Sequence, residues 1–159
     1  QAEVPAMSEL HSIDANGREM EAFLTDGLRS LLSLPAQKMG EYTVRWPGHI
    51  QRYQNTNLSP DELVDAWALD PQRSEFTWME VCVSSGDETR TWIVEDLGKD
   101  GDSSMARTTG LVTACCVIAW IDRPDMFGPG VFAPEDLPDD VIQLVVEVMR
   151  AEGVSIELR

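Results

Sequence analysis

The alternation of apolar and polar residues predicts strands in both halves of the chain. Each predicted strand is a short run that alternates in polarity or is rich in β-branched and aromatic residues, and turn residues bound it. Asn16-Gly17 and Ser85-Gly86-Asp87-Glu88 are typical of hairpin turns, so the runs on either side of each are expected to pair. The predicted strands are 8–24 on both sides of Asn16-Gly17, 41–46, 75–84, 89–96 and 154–158.

Helical periodicity and helix-start residues predict the remaining elements. Asp26 is expected to cap a short helix that ends before Pro35, and Ser59-Pro60 is a typical helix start. Ser103 or Ser104 begins the longest helix, which ends before Pro124. The predicted helices are 26–34, a turn or two at 49–56, 59–69, 103–122 and 138–152.

The longest predicted helix is apolar on every side. From Leu111 to Ile121 only Thr113 is polar, and a helix that is apolar all round has to be covered all round. A stripe of small residues, which another backbone can approach closely, recurs every four positions: Ala106, Gly110 and Ala114. Two interpretations stay open, because either the helix packs tightly on its own sheet or another domain or subunit covers it. The strand at 75–84 is apolar on both faces, so both are also expected to be partly covered.

These elements predict an α+β fold in a single domain over residues 1–159. We expect a mixed, largely antiparallel sheet with helices packed on it, and 43% apolar residues suffice for a core. The cysteines do not have the spacing of a metal site, and with two histidines in the chain no metal site is expected. We expect buried free thiols, as in a cytosolic protein, at Cys82, Cys115 and Cys116.

The charge of the chain argues against two classes of partner. Twelve basic residues stand against 28 acidic ones, which gives a net charge of −16. Nucleic acids and anionic membranes are bound through Lys and Arg, so neither is expected as a partner. Without a long apolar run or a signal peptide, the chain is expected to be soluble and cytoplasmic. Because it begins with Gln, we also expect it to be an excised piece of a longer protein.

Two segments carry candidate chemistry, whereas glycine-rich nucleotide loops and the common hydrolase motifs are absent from the sequence. In Thr43–His49, Arg45 and His49 flank a Pro-Gly turn. Together they can hold a carboxylate and exchange a proton. The alternative is that they are a surface Arg and a His that packs in the turn. In Ser104–Gly110, Arg107 and exposed helix-start amides form an anion site, or Arg107 merely pairs with nearby acids.

In combination and order, these segments resemble the C-terminal domain of the saccharopine dehydrogenase family. The family typically carries Leu-Arg-Tyr-Pro-Gly-His and, after a β-hairpin, Met-Ala-Arg-Thr-Thr-Gly; here they read Val44–His49 and Met105–Gly110. Glu21–Gly27 and Gly130–Glu135 are also similar to family segments, so the resemblance spans roughly residues 20–153. Trp46 replaces the usual Tyr, and the N-terminal Rossmann half with its glycine-rich turn is missing.

The resemblance implies the substrate-side and dimerisation domain of an oxidoreductase of lysine metabolism, with a fold like that of the glyceraldehyde-3-phosphate-dehydrogenase C-terminal domain. Such enzymes act on the CH–NH or CH–NH2 group of an amino acid with NAD or NADP, which the missing half binds. By resemblance, Arg45 and Arg107 are candidate carboxylate clamps, His49 orients the substrate or handles a proton, and Thr108 and Thr109 donate hydrogen bonds. No catalytic residue is expected in this chain, and a homodimer is expected. The alternative is a stand-alone ligand-binding or dimerisation module without catalytic activity.

Overall fold

The structure is a computed structural model that describes residues 5, 7–25, 27, 29–68, 70, 72, 74–126 and 128–159. The chain divides into two compact units, Gln1–Leu69 and Asp70–Arg159, which we call unit 1 and unit 2. Each unit contains a small sheet with its own helices, and each is treated by itself below.

Unit 1 contains a three-stranded antiparallel sheet in the order β1-β2-β3. Strand β1 is His11–Asp14, β2 is Glu19–Thr25 and β3 is Glu41–Arg45. Asn16 and Gly17 both have positive φ, 59° and 84°, as a tight hairpin turn requires at its two central positions. The hairpin predicted around Asn16-Gly17 is therefore confirmed, and so is the strand predicted near 41–46.

Two short α-helices and a 3-10 helix complete unit 1. The 3-10 helix is Arg29–Ser33, helix α1 is His49–Gln54 and helix α2 is Pro60–Ala66. Ser59 caps α2 in a reciprocal capping box with Glu62, which explains why the predicted start is correct. The predicted cap Asp26 and the predicted end Leu69 lie outside the described residues.

Unit 2 contains a second three-stranded antiparallel sheet in the order β4-β5-β6. Strand β4 is Phe76–Ser85, β5 is Glu88–Leu97 and β6 is Ser155–Leu158. The β4–β5 hairpin turns at Gly86, whose φ of 61° is accessible to glycine at little cost. This confirms the hairpin that the sequence indicates most clearly.

Helices α3 (Ser104–Asp122) and α4 (Asp139–Ala151) pack against each other in unit 2. Ser103 caps α3 by accepting a hydrogen bond from the Ala106 amide. Helix α3 also contacts β4 and β5, while α4 contacts β6. Two 3-10 helices, Pro124–Met126 and Pro134–Asp136, lie between the α-helices. The core of this unit includes Cys115, Ala119, Val141, Met149 and Val154.

The α+β class is confirmed. All strand pairs in the described part of the chain are antiparallel, and they form two separate sheets instead of the one mixed sheet expected. The likeness to particular enzyme domains and the single-domain organisation stay predictions.

The described elements supply only part of the cover that the sequence predicts. Strand β4 is half-buried over residues 76–78, but its outer half is exposed, with Met79 at 48% and Val83 at 62% of full accessibility. Helix α3 is not covered all round by its own unit, since Trp120 and Ile121 are 57% and 66% exposed, and cover by another domain or subunit stays a prediction. The expectation that Cys82 is buried is wrong, because it lies in the exposed part of β4.

Helix α3 is long and apolar enough to cross a membrane when judged by length and composition alone, and 17% of that stretch is buried within the protein. Mostly buried core helices and signal sequences pass the same test, so one such helix is weak evidence for a membrane span.

Candidate functional site

The turn between β3 and α1 brings two of the predicted site residues together in unit 1. Arg45 is the last residue of β3, and His49 is the first residue of α1. Gly48 between them has a φ of 78°, a conformation that disfavours residues with a side chain. The Gly48 amide donates a 2.9 Å hydrogen bond to a carboxylate oxygen of Glu21, which lies on the neighbouring strand opposite Arg45. Glu21 therefore helps to hold the turn that places Arg45 and His49.

Aromatic side chains support His49. Its imidazole lies 4.7 Å from the ring of Trp67, centre to centre, with the ring planes inclined at 35°. Tyr53 lies 6.0 Å from the same indole. Arg45 is exposed, and its guanidinium donates to the Val44 carbonyl at 2.8 Å. These contacts match the alternative of a surface Arg and a turn-packing His, and they leave the guanidinium open to solvent for a ligand.

Arg45, His49 and Arg52 form what we call the cationic cluster. Burial lowers the pKa of His49 below its ordinary value, and the positive charges of Arg45 and Arg52 lower it further. His49 is therefore a neutral imidazole near neutral pH, able to donate or accept a proton, while the two guanidinium groups supply the charge. In a chain with a net charge of −16, such a cluster is a local region of positive charge.

The lowered pKa of His49 gives a testable pH dependence. The unfolded chain takes up the proton at a higher pH than the folded chain, so His49 favours folding above its unfolded pKa and opposes it as the pH falls. We expect the free energy of unfolding of unit 1 to decrease as the pH falls from about 7.5 to about 5.5. His49→Phe keeps a ring against Trp67 and should lose this part of the dependence. Urea denaturation followed by Trp fluorescence tests it, and identical pH profiles for both proteins would contradict it.

The second predicted segment begins α3 in unit 2, and its helix start already holds a carboxylate. The Glu75 carboxylate accepts hydrogen bonds from the Ser104 amide at 2.6 Å and from the Ser104 hydroxyl at 2.5 Å. Ser104 is fully buried, and its hydroxyl also contacts that of Thr77 at 2.8 Å. The site expected to attract an anion at this helix start is thus occupied by the protein's own side chain, which satisfies helix-start donors.

Arg107 lies three residues after Ser104, in the first turn of α3, and pairs with a buried acid. Its guanidinium donates to both carboxylate oxygens of Asp96, at 3.0 and 3.4 Å, and to the Glu152 carbonyl at 2.8 Å. The side chains of Arg107 and Asp96 are 11% and 3% exposed. The hydrogen bond to Asp96 raises the pKa of Arg107 above its ordinary value. Arg107 thereby joins the start of α3, strand β5 and the end of α4.

The two predicted threonines make helix contacts. The Thr108 hydroxyl donates to the Ser104 carbonyl at 2.9 Å, so its proton is engaged within the helix. Thr109 is exposed, and its carbonyl accepts from the Thr113 hydroxyl at 2.9 Å. Thr109 therefore presents its side chain to solvent, whereas Thr108 is directed back along α3.

Arg107 also borders an open cleft in unit 2 with a volume of about 570 Å³. Acidic and basic residues both line the cleft: the acids Glu95, Asp96 and Glu152, and the bases Lys99 and Arg107. Asp96 and Arg107 already pair with each other, so their opposite charges are balanced within the protein. The remaining lining residues are Leu97, Gly98, Gly153 and Ser155.

The structure thus places Arg45 and His49 together in unit 1, and Arg107, Thr108 and Thr109 together in unit 2. Their roles in substrate binding stay predictions. Sequence reasoning missed Arg52, Trp67, Glu75 and Asp96. Asp96 had a signal, since an acid at the end of a strand rich in Val, Ile and Trp needs a cationic partner if it is buried. Within the described residues, no group of three His, Cys, Asp or Glu side chains is arranged to hold a metal ion.

No protein-family model matches the chain, and no curated protein matches its sequence. The likeness to saccharopine dehydrogenases therefore rests on the ordered sequence segments alone. The functional assignment that follows is accordingly made from those segments and from the geometry of the two groups of site residues.

Proposed function

We propose that this chain is the substrate-side and dimerisation domain of a saccharopine-dehydrogenase-like oxidoreductase, acting with NAD or NADP on the CH–NH or CH–NH2 group of an amino acid in the cytoplasm. The observation that carries the proposal is the cationic cluster at the β3–α1 turn. Two of its members, Arg45 and His49, lie in one of the two segments on which the family resemblance depends, and the cluster gives a strongly acidic chain a place to hold a carboxylate.

In this proposal the exposed guanidinium of Arg45 takes the substrate carboxylate in a two-bond fork, which its planar geometry permits. His49, kept neutral by burial and by the neighbouring arginines, orients the substrate or relays a proton. Thr109 offers an exposed hydroxyl as a further donor. Arg107 contributes mainly by holding the cleft together through Asp96 and Glu152.

The residues of this chain do not fit the nucleotide. A dinucleotide pyrophosphate is usually held at a glycine-rich turn between a strand of a parallel sheet and a helix start. Strand pairs in the described residues are antiparallel, and the Glu75 carboxylate fills the start of α3. We therefore assign NAD or NADP binding, and acceptance of the hydride, to a separate Rossmann half.

The alternative function is a stand-alone ligand-binding or dimerisation module without catalytic activity. The mixed-charge cleft in unit 2 favours this alternative, because binding of a zwitterionic ligand there would require no nucleotide. Both functions include self-association, which the uncovered apolar surfaces of α3 and β4 support.

Calorimetric titration of this chain with NAD(H) and NADP(H) tests the division of roles. We expect no heat of binding from either nucleotide, because the described residues do not supply a pyrophosphate cradle. A dissociation constant on the order of micromolar for either nucleotide, equivalent to about −8 kcal/mol, would contradict the assignment.

A further inference from the structure

Strand β4 is a long, open edge of the unit 2 sheet. It is ten residues long, and in the described part of the chain it pairs with β5 alone. Its sequence, FTWMEVCVSS, has one charged residue, Glu80, and lacks the Lys or Pro that commonly protect sheet edges. The opposite edge differs, because β6 is four residues long and the Arg150 side chain donates to its Ile156 carbonyl at 2.9 Å. Of the two edges, β4 is therefore the one suited to accept another strand.

The register shows which β4 residues direct their backbone groups outward. Thr91 and Arg159 exchange both backbone hydrogen bonds, so the odd-numbered residues of β5 bond toward β6 and the even-numbered ones toward β4. Because Trp92 lies opposite Val81, the odd-numbered residues of β4 bond to β5. The even-numbered residues therefore direct their backbone N–H and C=O groups to the open edge: Trp78, Glu80, Cys82 and Ser84.

The side chains beside this edge are apolar on the face that carries α3. Thr77 contacts Ser104 of α3, so the odd-numbered side chains of β4 share the helix side of the sheet. Three of these are large and uncovered: Met79, Val81 and Val83 are 48%, 44% and 62% exposed. Another strand on this edge would cover them.

We propose that β4 pairs antiparallel with β4 of a second copy of this chain about a two-fold axis at Val81, joining the two sheets into one of six strands. This inference rests on the dimerisation part of the proposed function and is independent of its oxidoreductase part. An isologous pair closes on itself, which suits an edge that would otherwise template open-ended association.

Charge and packing select the register. An axis at Glu80 would place two like charges directly opposite each other, which destabilises a strand pair. An axis at Val81 places Glu80 opposite Cys82 of the second copy and overlaps 77–85 of both strands. On the helix side it also pairs Met79 with Val83 and Val81 with Val81, so every opposed pair among the three large exposed side chains is apolar.

Helix α3 extends the same interface. It contacts β4 and β5 while α4 contacts β6, so α3 is the helix nearer the open edge, and the joined sheet brings both copies of α3 to one face. Its uncovered apolar side chains include Val117, Ile118 and Ile121, at 47%, 54% and 66% exposure. They add area that a strand edge alone lacks, since stable dimers bury roughly 1,200 Å² or more in total.

Analytical ultracentrifugation of Glu80→Pro beside the wild-type chain tests the edge. The substitution removes an outward N–H and leaves the β4–β5 ladder bonds in place. Each dimer loses two hydrogen bonds. Because each hydrogen bond changes the dissociation constant by roughly up to a factor of ten, we expect that constant to rise about a hundredfold. Glu80→Gln controls for charge, and Leu158→Pro is the matched proline on the β6 edge. Both controls should dimerise as the wild type does.

Cross-linking through the native Cys82 thiol provides a second readout that does not depend on how the proline variant folds. With the axis at Val81, the two Cys82 side chains lie on one face roughly 8 Å apart on the diagonal. A short bis-maleimide should link two wild-type chains and should not link Cys82→Ser, in which the buried Cys115 and partly buried Cys116 remain.

Two results would overturn the proposal in distinguishable ways. A dimer whose dissociation constant is unchanged in a folded Glu80→Pro, or a wild-type dimer without Cys82 cross-links, places the interface elsewhere and leaves the proposed function standing. If the wild-type chain is a monomer at concentrations on the order of 50 micromolar, both the β4 pairing and the dimerisation role are contradicted.

Discussion

Asp96→Asn is expected to destabilise unit 2 by about 3 kcal/mol, the cost typical of breaking a buried ion pair from one side. Asp96 is 4% exposed and lies opposite Thr77 near the end of β5, where the Arg107 guanidinium donates to both of its carboxylate oxygens. The amide still fits the space but removes the negative charge, so the guanidinium loses its counter-ion. Urea denaturation of the variant beside the wild-type chain measures the difference in free energy of unfolding.

An exposed pair in the same unit is the matched control. Arg123 and Asp140 lie 2.6 Å apart, but their side chains are 47% and 61% exposed. Exposed ion pairs typically contribute about 0–1 kcal/mol, so Asp140→Asn should change the stability little. If Asp96→Asn costs no more than Asp140→Asn, the structural role of the Arg107–Asp96 pair is wrong, and Arg107 is available to act as a substrate clamp.

Under the proposed function, Arg45→Lys should raise the KM for the amino-acid substrate roughly tenfold to hundredfold in the full-length protein. Lysine keeps the charge but cannot form the two-bond fork, and a charge-assisted hydrogen bond contributes about 1.5–3 kcal/mol. Arg45 is exposed, and its guanidinium donates to the carbonyl of the neighbouring Val44, so the melting temperature should remain close to the wild-type value. Steady-state kinetics and thermal melts separate the two effects.

Two further substitutions complete this experiment. Arg90→Lys, at an exposed position of the β5 end of the hairpin, should leave both KM and stability unchanged. Arg107→Lys should lower the melting temperature, because it disturbs the contacts to Asp96 and Glu152. Wild-type KM and turnover in both Arg45→Lys and Arg107→Lys would show that neither arginine holds the substrate.

Local sequence signals predicted the elements well where chemistry within a few residues determines them. Asn16-Gly17 specifies a two-residue turn because both positions have positive φ, and Ser59 with Glu62 specifies a helix start through the capping box. The limits of α3 follow in the same way from Ser103 and Pro124. Such signals identify an element without stating what covers it.

The contacts at the start of α3 were harder to predict because they join distant positions. Arg107 was identified as a site residue, but its partners depend on how β5 and α4 meet α3. Glu75 lies 29 residues before Ser104, so its occupation of the helix start has no local signal. The exposed β4 edge was missed for a related reason, since apolar residues on both faces indicate burial and the second copy we propose is not part of the chain.

The most direct test of the proposed function is an assay of the full-length polypeptide with saccharopine and with lysine as substrates. Oxidation is measured as the reduction of NAD or of NADP. We expect turnover of at least one of these amino acids with one of the nucleotides. The Arg45→Lys variant should have a lower apparent affinity for that amino acid. A correctly folded full-length protein that reduces neither nucleotide with either amino acid would contradict the assignment and favour the non-catalytic binding module.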